Sequence, residues 1–128
     1  MTTTISGSSG IVFPDLTTMQ TGQQAVKAWV NFNGTGTVAI RAAYNVSSIT
    51  DGGVGDYTVN FTTAMPDANY AMGGSSKIDS NNGDSNSWIV GVRRNSGNPS
   101  TSQCRIGVFF HNNNSAQDGE IINASFFR

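Results

Sequence analysis

Charge is scarce in this chain. Of its 128 residues, eight are acidic and seven basic, 12% together, where soluble domains usually carry about 25%. Clustered Lys and Arg are what a protein needs to neutralise a phosphate backbone. Here only Arg93 and Arg94 adjoin, and a solvated strand end accounts for them, so no nucleic-acid partner is expected. One cysteine, Cys104, excludes an internal disulfide. A single histidine, His111, lies beside three asparagines and has no partner base or nucleophile in sequence. No apolar run approaches the length that crosses a bilayer, so no membrane insertion is expected. The start, residues 1–7, lacks the basic and apolar stretches of a secretion signal, which implies synthesis in a cytoplasm. The Asn-x-Ser/Thr triplets at Asn33, Asn45, Asn60, Asn113 and Asn123 are then accidents of composition.

What the chain does have is Gly, Ser, Thr and Asn interleaved with aromatic and β-branched residues. Disordered chains lack the latter, so a folded domain is expected. Nowhere does a helical apolar stripe persist. Two-residue alternation is clearest over 56–63, where Tyr57, Val59 and Phe61 oppose Thr58, Asn60 and Thr62. Further strands are read at 26–32, 37–43, 44–50, 69–77, 87–93, 103–110 and 120–127. Turns fall at Asn33-Gly34, where Asn-Gly offers the positive φ of a tight hairpin, and at 51–55, 66–67, 79–86, 95–99 and 111–115. Short strands divided by turns predict an all-β protein, an antiparallel β-sandwich of jelly-roll type. The aromatic ending, Phe126-Phe127-Arg128, implies a last strand docked in a sheet and a fold complete at that end. Residues 1–25 have a different texture, with Ile5, Ile11, Val12, Phe13 and Leu16 scattered among Gly, Ser and Thr. Such a segment cannot bury itself and needs the main domain, a second copy or a partner. The chain therefore divides into an attachment and trimerisation segment, 1–25, and a sandwich domain, 26–128.

The inventory for catalysis is thin, and the chain is read as a non-enzyme without cofactor or metal. Cys104 shares a strand face with Ile106 and Val108, where cysteine acts as a small buried hydrophobe. The aspartates stand mostly in turns, which they brace through their own backbone. A small depolymerase would need two convergent carboxylates, and no spacing here predicts them. The run Asp79-x-Asn81-x-Gly83-Asp84 resembles a Ca²⁺ loop but lacks its sixth-position glycine and distant Glu. Gly34-Thr-Gly36 and Gly52-Gly-Val-Gly55 open no helix and cannot cradle phosphate. Among the aromatic residues Trp29, Tyr44, Trp88 and Phe109, any that face outward offer a surface for stacking on a sugar or filling a partner's pocket. Trp88 is in phase with Val90 and Val92 and reads as core. Trp29 is out of phase with Ala28, Val30 and Phe32 and reads as outward, at a subunit interface.

Three stretches carry a resemblance. Residues 5–20, with Gly10-Ile11-Val12-Phe13-Pro14-Asp15 at their centre, resemble a short motif of bacteriophage tail-fibre proteins, with Leu16 where that motif has Gly. Residues 27–41, 44–51 and 55–70, which include Trp29-Val30-Asn31-Phe32-Asn33-Gly34-Thr35-Gly36, resemble a module of phage fibres and other virion proteins. The resemblance spans about residues 5–72, and the remainder agrees in texture alone. It implies a virion structural protein, a fibre or fibre-tip/spike component, assembled as a homotrimer. The 1–25 segment would mount it on other virion proteins, and distal loops among 79–86, 95–102 and 111–118 would meet a host surface, with a surface glycan as one partner. Ile5, Ile11, Phe13, Leu16 and Trp29 are the expected trimer and attachment contacts. A capsid-decorating head fibre or cement protein, and a free-standing carbohydrate-binding sandwich, are the alternatives.

Overall fold

The computed structural model describes residues 4–6, 10–12, 18–19, 26–77, 88–93, 99–110 and 114–128. Every regular element among them is a strand. Three short strands, β1 (Thr4–Ser6), β2 (Gly10–Val12) and β3 (Thr18–Met19), pair antiparallel in that order, with Ile5 opposite Ile11 and Ile11 opposite Met19. The other eight are β4 (Val26–Asn33), β5 (Ala39–Tyr44), β6 (Val46–Gly53), β7 (Asp56–Phe61), β8 (Ala71–Lys77), β9 (Trp88–Val92), β10 (Gln103–Phe110) and β11 (Ile121–Phe127). They form two four-stranded antiparallel sheets, ordered β5-β4-β11-β8 and β6-β7-β10-β9, packed face to face as a β-sandwich.

The core follows from the alternation. In each sheet the two central strands turn three side chains inward: Ala28, Val30 and Phe32 from β4, Ile122, Ala124 and Phe126 from β11, Tyr57, Val59 and Phe61 from β7, and Cys104, Ile106 and Val108 from β10. All are buried, and Met65 joins them from the β7–β8 connection. Phe61, Tyr70 and Phe126 meet edge to face with centroids 5.0–5.8 Å apart, and Phe32 meets Tyr57 the same way at 5.1 Å. Such edge contacts add to what area burial alone contributes. The last strand is docked as the sequence implied, between β4 and β8.

Three corners show how polar side chains hold the layers. The hairpin at Asn33-Gly34 is wider than the tight turn expected. Residues 34–38 span it, and the left-handed backbone falls at Gly36 (φ +63°), not at the Asn-Gly pair. Gly34 matters for space instead, since a Cβ there would lie 2.3 Å from the Tyr57 hydroxyl oxygen. Asn45, itself left-handed at φ +54°, turns the chain from β5 in one sheet to β6 in the other. Its Nδ2 donates to the carbonyls of Lys27 (3.0 Å) and Thr63 (3.1 Å), and its Oδ1 accepts from the Thr63 amide at 2.7 Å. Asp118 ties the β10–β11 connection to the start of β7, accepting from the Gly55 amide (2.8 Å) and the Tyr57 hydroxyl (2.6 Å).

The two open sides of the sandwich differ. β8 and β9 lie close, with a Cβ at Gly74 only 2.8 Å from a Val90 methyl. On the opposite side all six residues of β5 are exposed, and β5 packs on β6 only sparsely.

Candidate functional site

Ionisable groups are the first place to look for chemistry, and the side-chain carboxylates among the described residues all have partners. Asp56, at the start of β7, is only 5% exposed. Arg105 Nε donates to its Oδ1 at 2.6 Å and Arg105 Nη2 to its Oδ2, while Arg93 Nη1 stands 3.1 Å from Oδ2. The Arg105 hydrogen bond holds the Asp56 carboxyl below its usual range against the opposing pull of burial, and Arg93 assists. A carboxylate whose two oxygens are both claimed by guanidinium groups is a poor proton acceptor, so the cluster fastens β7, β9 and β10 together. Arg93 also lies over the Phe109 ring, 5.2 Å from its centroid. Arg93 is therefore bound into a cluster rather than solvated at a strand end, and Asp56 is more than a turn brace. Both departures have one cause: cross-strand register sets partners 37 and 49 residues apart in sequence, which local pattern does not reveal.

The turn aspartates otherwise behave as expected. Asp51 accepts from the Gly53 amide at 2.9 Å and Asp67 from the Asn69 amide at 2.7 Å. Asp67 also takes a forked pair from Arg128, whose hydrogen bond lowers its pKa. Burial, then the hydrogen bond to Asp118, raises the Tyr57 phenol far above its ordinary value, so it serves as a donor. The Cys104 thiol is buried among Ile106 and Val108, and that burial raises its pKa. Among the described residues, no three His, Cys, Asp or Glu side chains gather closely enough to hold a metal ion. No helix there is long and apolar enough to cross a membrane.

What the fold presents outward is the open face of the β5-β4-β11-β8 sheet. Trp29 on β4 faces away from the core, 38% exposed between buried Ala28 and Val30. Tyr44 of β5, 58% exposed, is its cross-strand partner, and Ser125 of β11 lies on its other side, with Gly73 of β8 next. One step along the strands runs a second row, Ala42, Asn31, Asn123 and Ser75. It is stitched by Asn31 Nδ2 donating to Asn123 Oδ1 at 2.6 Å and Asn123 Nδ2 to Ser75 Oγ at 3.2 Å. Exposed Phe127, opposite Val26 and Ala71, closes the other side of the aromatic row. Charge on this sheet lies at Lys27 of β4, at Arg41 of β5, whose Nη1 donates to the Glu120 carbonyl at 2.6 Å, and at the Lys77–Glu120 ion pair of 3.4 Å.

Of the expected contact residues, Ile5 and Ile11 are cross-strand partners in the small N-terminal sheet, while Trp29 belongs to the sandwich. Phe13 and Leu16 lie outside the described residues, as do His111, the calcium-like run at 79–84 and the loop 79–86. Trp88 packs beside Phe110 at 5.1 Å against the core, and Phe109 is half-buried on the outer side. Tyr44, Asn31, Asn123 and Ser75 were not singled out together from sequence. The outward phase of each strand was visible there, but Asn31 and Asn123 stand 92 positions apart and only register joins them. Compared with family models, curated proteins and solved structures, the chain matches none.

Proposed function

We propose that this chain is a structural protein of a bacteriophage virion, a fibre, fibre-tip or spike component that assembles as a homotrimer. The reading rests on the resemblance of residues 5–20, 27–41, 44–51 and 55–70 to a phage fibre motif and module. Two physical arguments support it. Residues 1–25 hold too little apolar area to stabilise a fold alone, so contacts with symmetry mates or another virion protein would complete them. The carboxylates and thiol described above are held in braces and ion pairs or in the core, which suits a scaffold. In this reading residues 1–25 mount and trimerise the protein through Ile5, Ile11, Phe13 and Leu16, and the sandwich projects toward a host surface. Capsid decoration is the same arrangement on a different part of the particle.

The test is the mass of the intact protein in solution by sedimentation, beside a variant lacking residues 1–25. A species of three times the 13.5 kDa chain mass is expected, reduced to smaller species by the deletion. Density for the chain on a whole particle then separates fibre from capsid decoration. A monomer at every concentration would refute the trimer. The outward Trp29–Tyr44 pair favours a second reading, a free-standing carbohydrate-binding sandwich, which predicts such a monomer with affinity for a glycan.

A further inference from the structure

We infer that the outer face of the β5-β4-β11-β8 sheet is a saccharide-binding platform, with Trp29 and Tyr44 as the stacking pair and Asn31, Asn123 and Ser75 as the hydrogen-bonding row. As a host-surface contact it rests on the functional reading above, though the physical case is made by the face itself.

Stacking needs exposed rings, and the pair supplies them. Among the described residues neither Trp29 nor Tyr44 has a hydrogen-bond partner for its polar tip or a ring packed against it. Buried or structural Trp and Tyr normally find such partners, as Tyr57 and Tyr70 do here. Exposing two large rings as direct cross-strand neighbours costs solubility and contributes nothing to the core. The surroundings are low. Ser125 stands beside Trp29, and Gly73 beyond it would leave an added Cβ with nothing within 4 Å. The rings therefore rise beside an open shelf rather than a filled cleft.

The amide row supplies the polar half. Each Asn side chain has two N–H donors and an acceptor oxygen. The bonds Asn31 to Asn123 to Ser75 use one Nδ2 hydrogen of each Asn and one lone pair of the Asn123 and Ser75 oxygens. The Asn31 carbonyl oxygen, the second hydrogen of each amide and the Ser75 hydroxyl proton are left for a ligand. The mutual bonds also fix the side chains, so their ordering is complete before anything binds. This row lies about 7 Å along the strands from the aromatic row, and neighbouring strands are about 5 Å apart, which is the scale of a sugar ring.

A saccharide matches both rows, because its C–H faces stack on aromatic rings while its hydroxyls both donate and accept. The two rows themselves carry no charged side chain, and Lys27, Arg41 and the Lys77–Glu120 pair stand around rather than within them, which points to a neutral sugar. A second copy of this chain is the rival occupant, and shielding of Trp29 in the free protein is the outcome that would reveal it.

The test uses the full-length protein on an array of neutral and acidic bacterial glycans, with Trp29→Ala, Trp29→Phe, Tyr44→Ala and Asn123→Ala alongside. Neutral glycans should be retained by the wild type, with apparent affinity falling at least tenfold in Trp29→Ala and Tyr44→Ala. Trp29→Phe should recover part of the loss, and sedimentation should be unchanged in the exposed-residue variants. Acrylamide should quench Trp29 in the free protein, and a retained glycan should protect it. If no glycan distinguishes wild type from Trp29→Ala, or if Trp29 is shielded without ligand because a second copy covers it, the inference fails. Retention of acidic glycans alone would overturn the neutral assignment. None of these results alters the trimer measurement, and glycan binding by a strict monomer would sink the virion reading while leaving the platform standing.

Discussion

Replacing Asp56 with Asn keeps the side-chain shape but removes the charge that two guanidinium groups share. In the wild type Asp56 is nearly inaccessible, takes a forked pair of bonds from Arg105 and a third contact from Arg93. Removing one partner of a buried ion pair costs about 3–5 kcal/mol, mostly because the remaining charge is left desolvated. Here the arginine side chains keep 26% and 27% of their exposure, so water can reach them and the lower end, about 3 kcal/mol, is expected. For a domain of this size that lowers the melting temperature by roughly 10–15 °C. The assay is urea unfolding at pH 7 and at pH 3, followed by tryptophan fluorescence and far-ultraviolet circular dichroism. Because folding lowers the Asp56 pKa, its charge contributes fully above the unfolded carboxylate value of about 4. That contribution is lost as pH falls through the lower folded value. The difference between wild type and Asp56→Asn should therefore be constant from pH 5 to 7 and shrink below about pH 4. A variant within about 0.5 kcal/mol of wild type at pH 7, or a difference that grows in acid, would refute the argument.

Two further substitutions and labels probe other joints. Asn45→Ala loses three hydrogen bonds and leaves at φ +54° a residue that tolerates the left-handed region less well than asparagine, and is expected to cost about 2–3 kcal/mol. Asn45→Gly keeps the backbone freedom and should cost about half of that, so equal losses in the two variants would show that the conformation is not the cause. Cys104 should resist a thiol reagent at pH 8 in the folded protein and react only at the rate of global unfolding, since burial raises its pKa and shields it. Stoichiometric labelling within minutes under native conditions would contradict that placement.

The strands were legible because their signal is local. Tyr57, Val59 and Phe61 alternate with Thr58 and Asn60, and the same two-residue beat marks β4, β10 and β11 closely enough to give the sandwich and the buried face of Cys104. The hairpins of β4 with β5 and β6 with β7 were legible from their glycine-rich turns. Three things were not. The left-handed residue in the first hairpin is Gly36, since Tyr57 from the other sheet and Gly119, just before β11, hold Gly34. Asn45 as the pivot between sheets looks in sequence like any polar residue between two strands. The Asp56 cluster and the Asn31–Asn123–Ser75 row depend on which strands adjoin and in what register, and sequence fixes neither. Only Trp29 betrayed the outer face, because one large aromatic out of phase on a strand is visible without knowing its neighbours.

The two outer faces of the sandwich handle their exposed aromatic residues differently, and the contrast bears on function. On the β6-β7-β10-β9 sheet, Phe109 lies beneath Arg93 and fills the space over Gly107, where a Cβ would come within 2.2 Å of its ring. That ring is sheltered, and the charges beside it are spent on Asp56. On the β5-β4-β11-β8 sheet, Trp29 and Tyr44 stand open above Ser125 and Gly73, and the amides behind them are ordered by one another yet not exhausted. A surface with only a scaffolding task has little need of two large open rings, because Thr is also a good strand former and the pair adds nothing to the core. Trp29→Thr and Tyr44→Thr together should therefore cost no more than about 1 kcal/mol, the size of one cross-strand aromatic pair, while abolishing whatever the face binds. A marked loss of stability in that double variant would mean that the rings serve the fold, and the face would no longer stand out as a place of recognition.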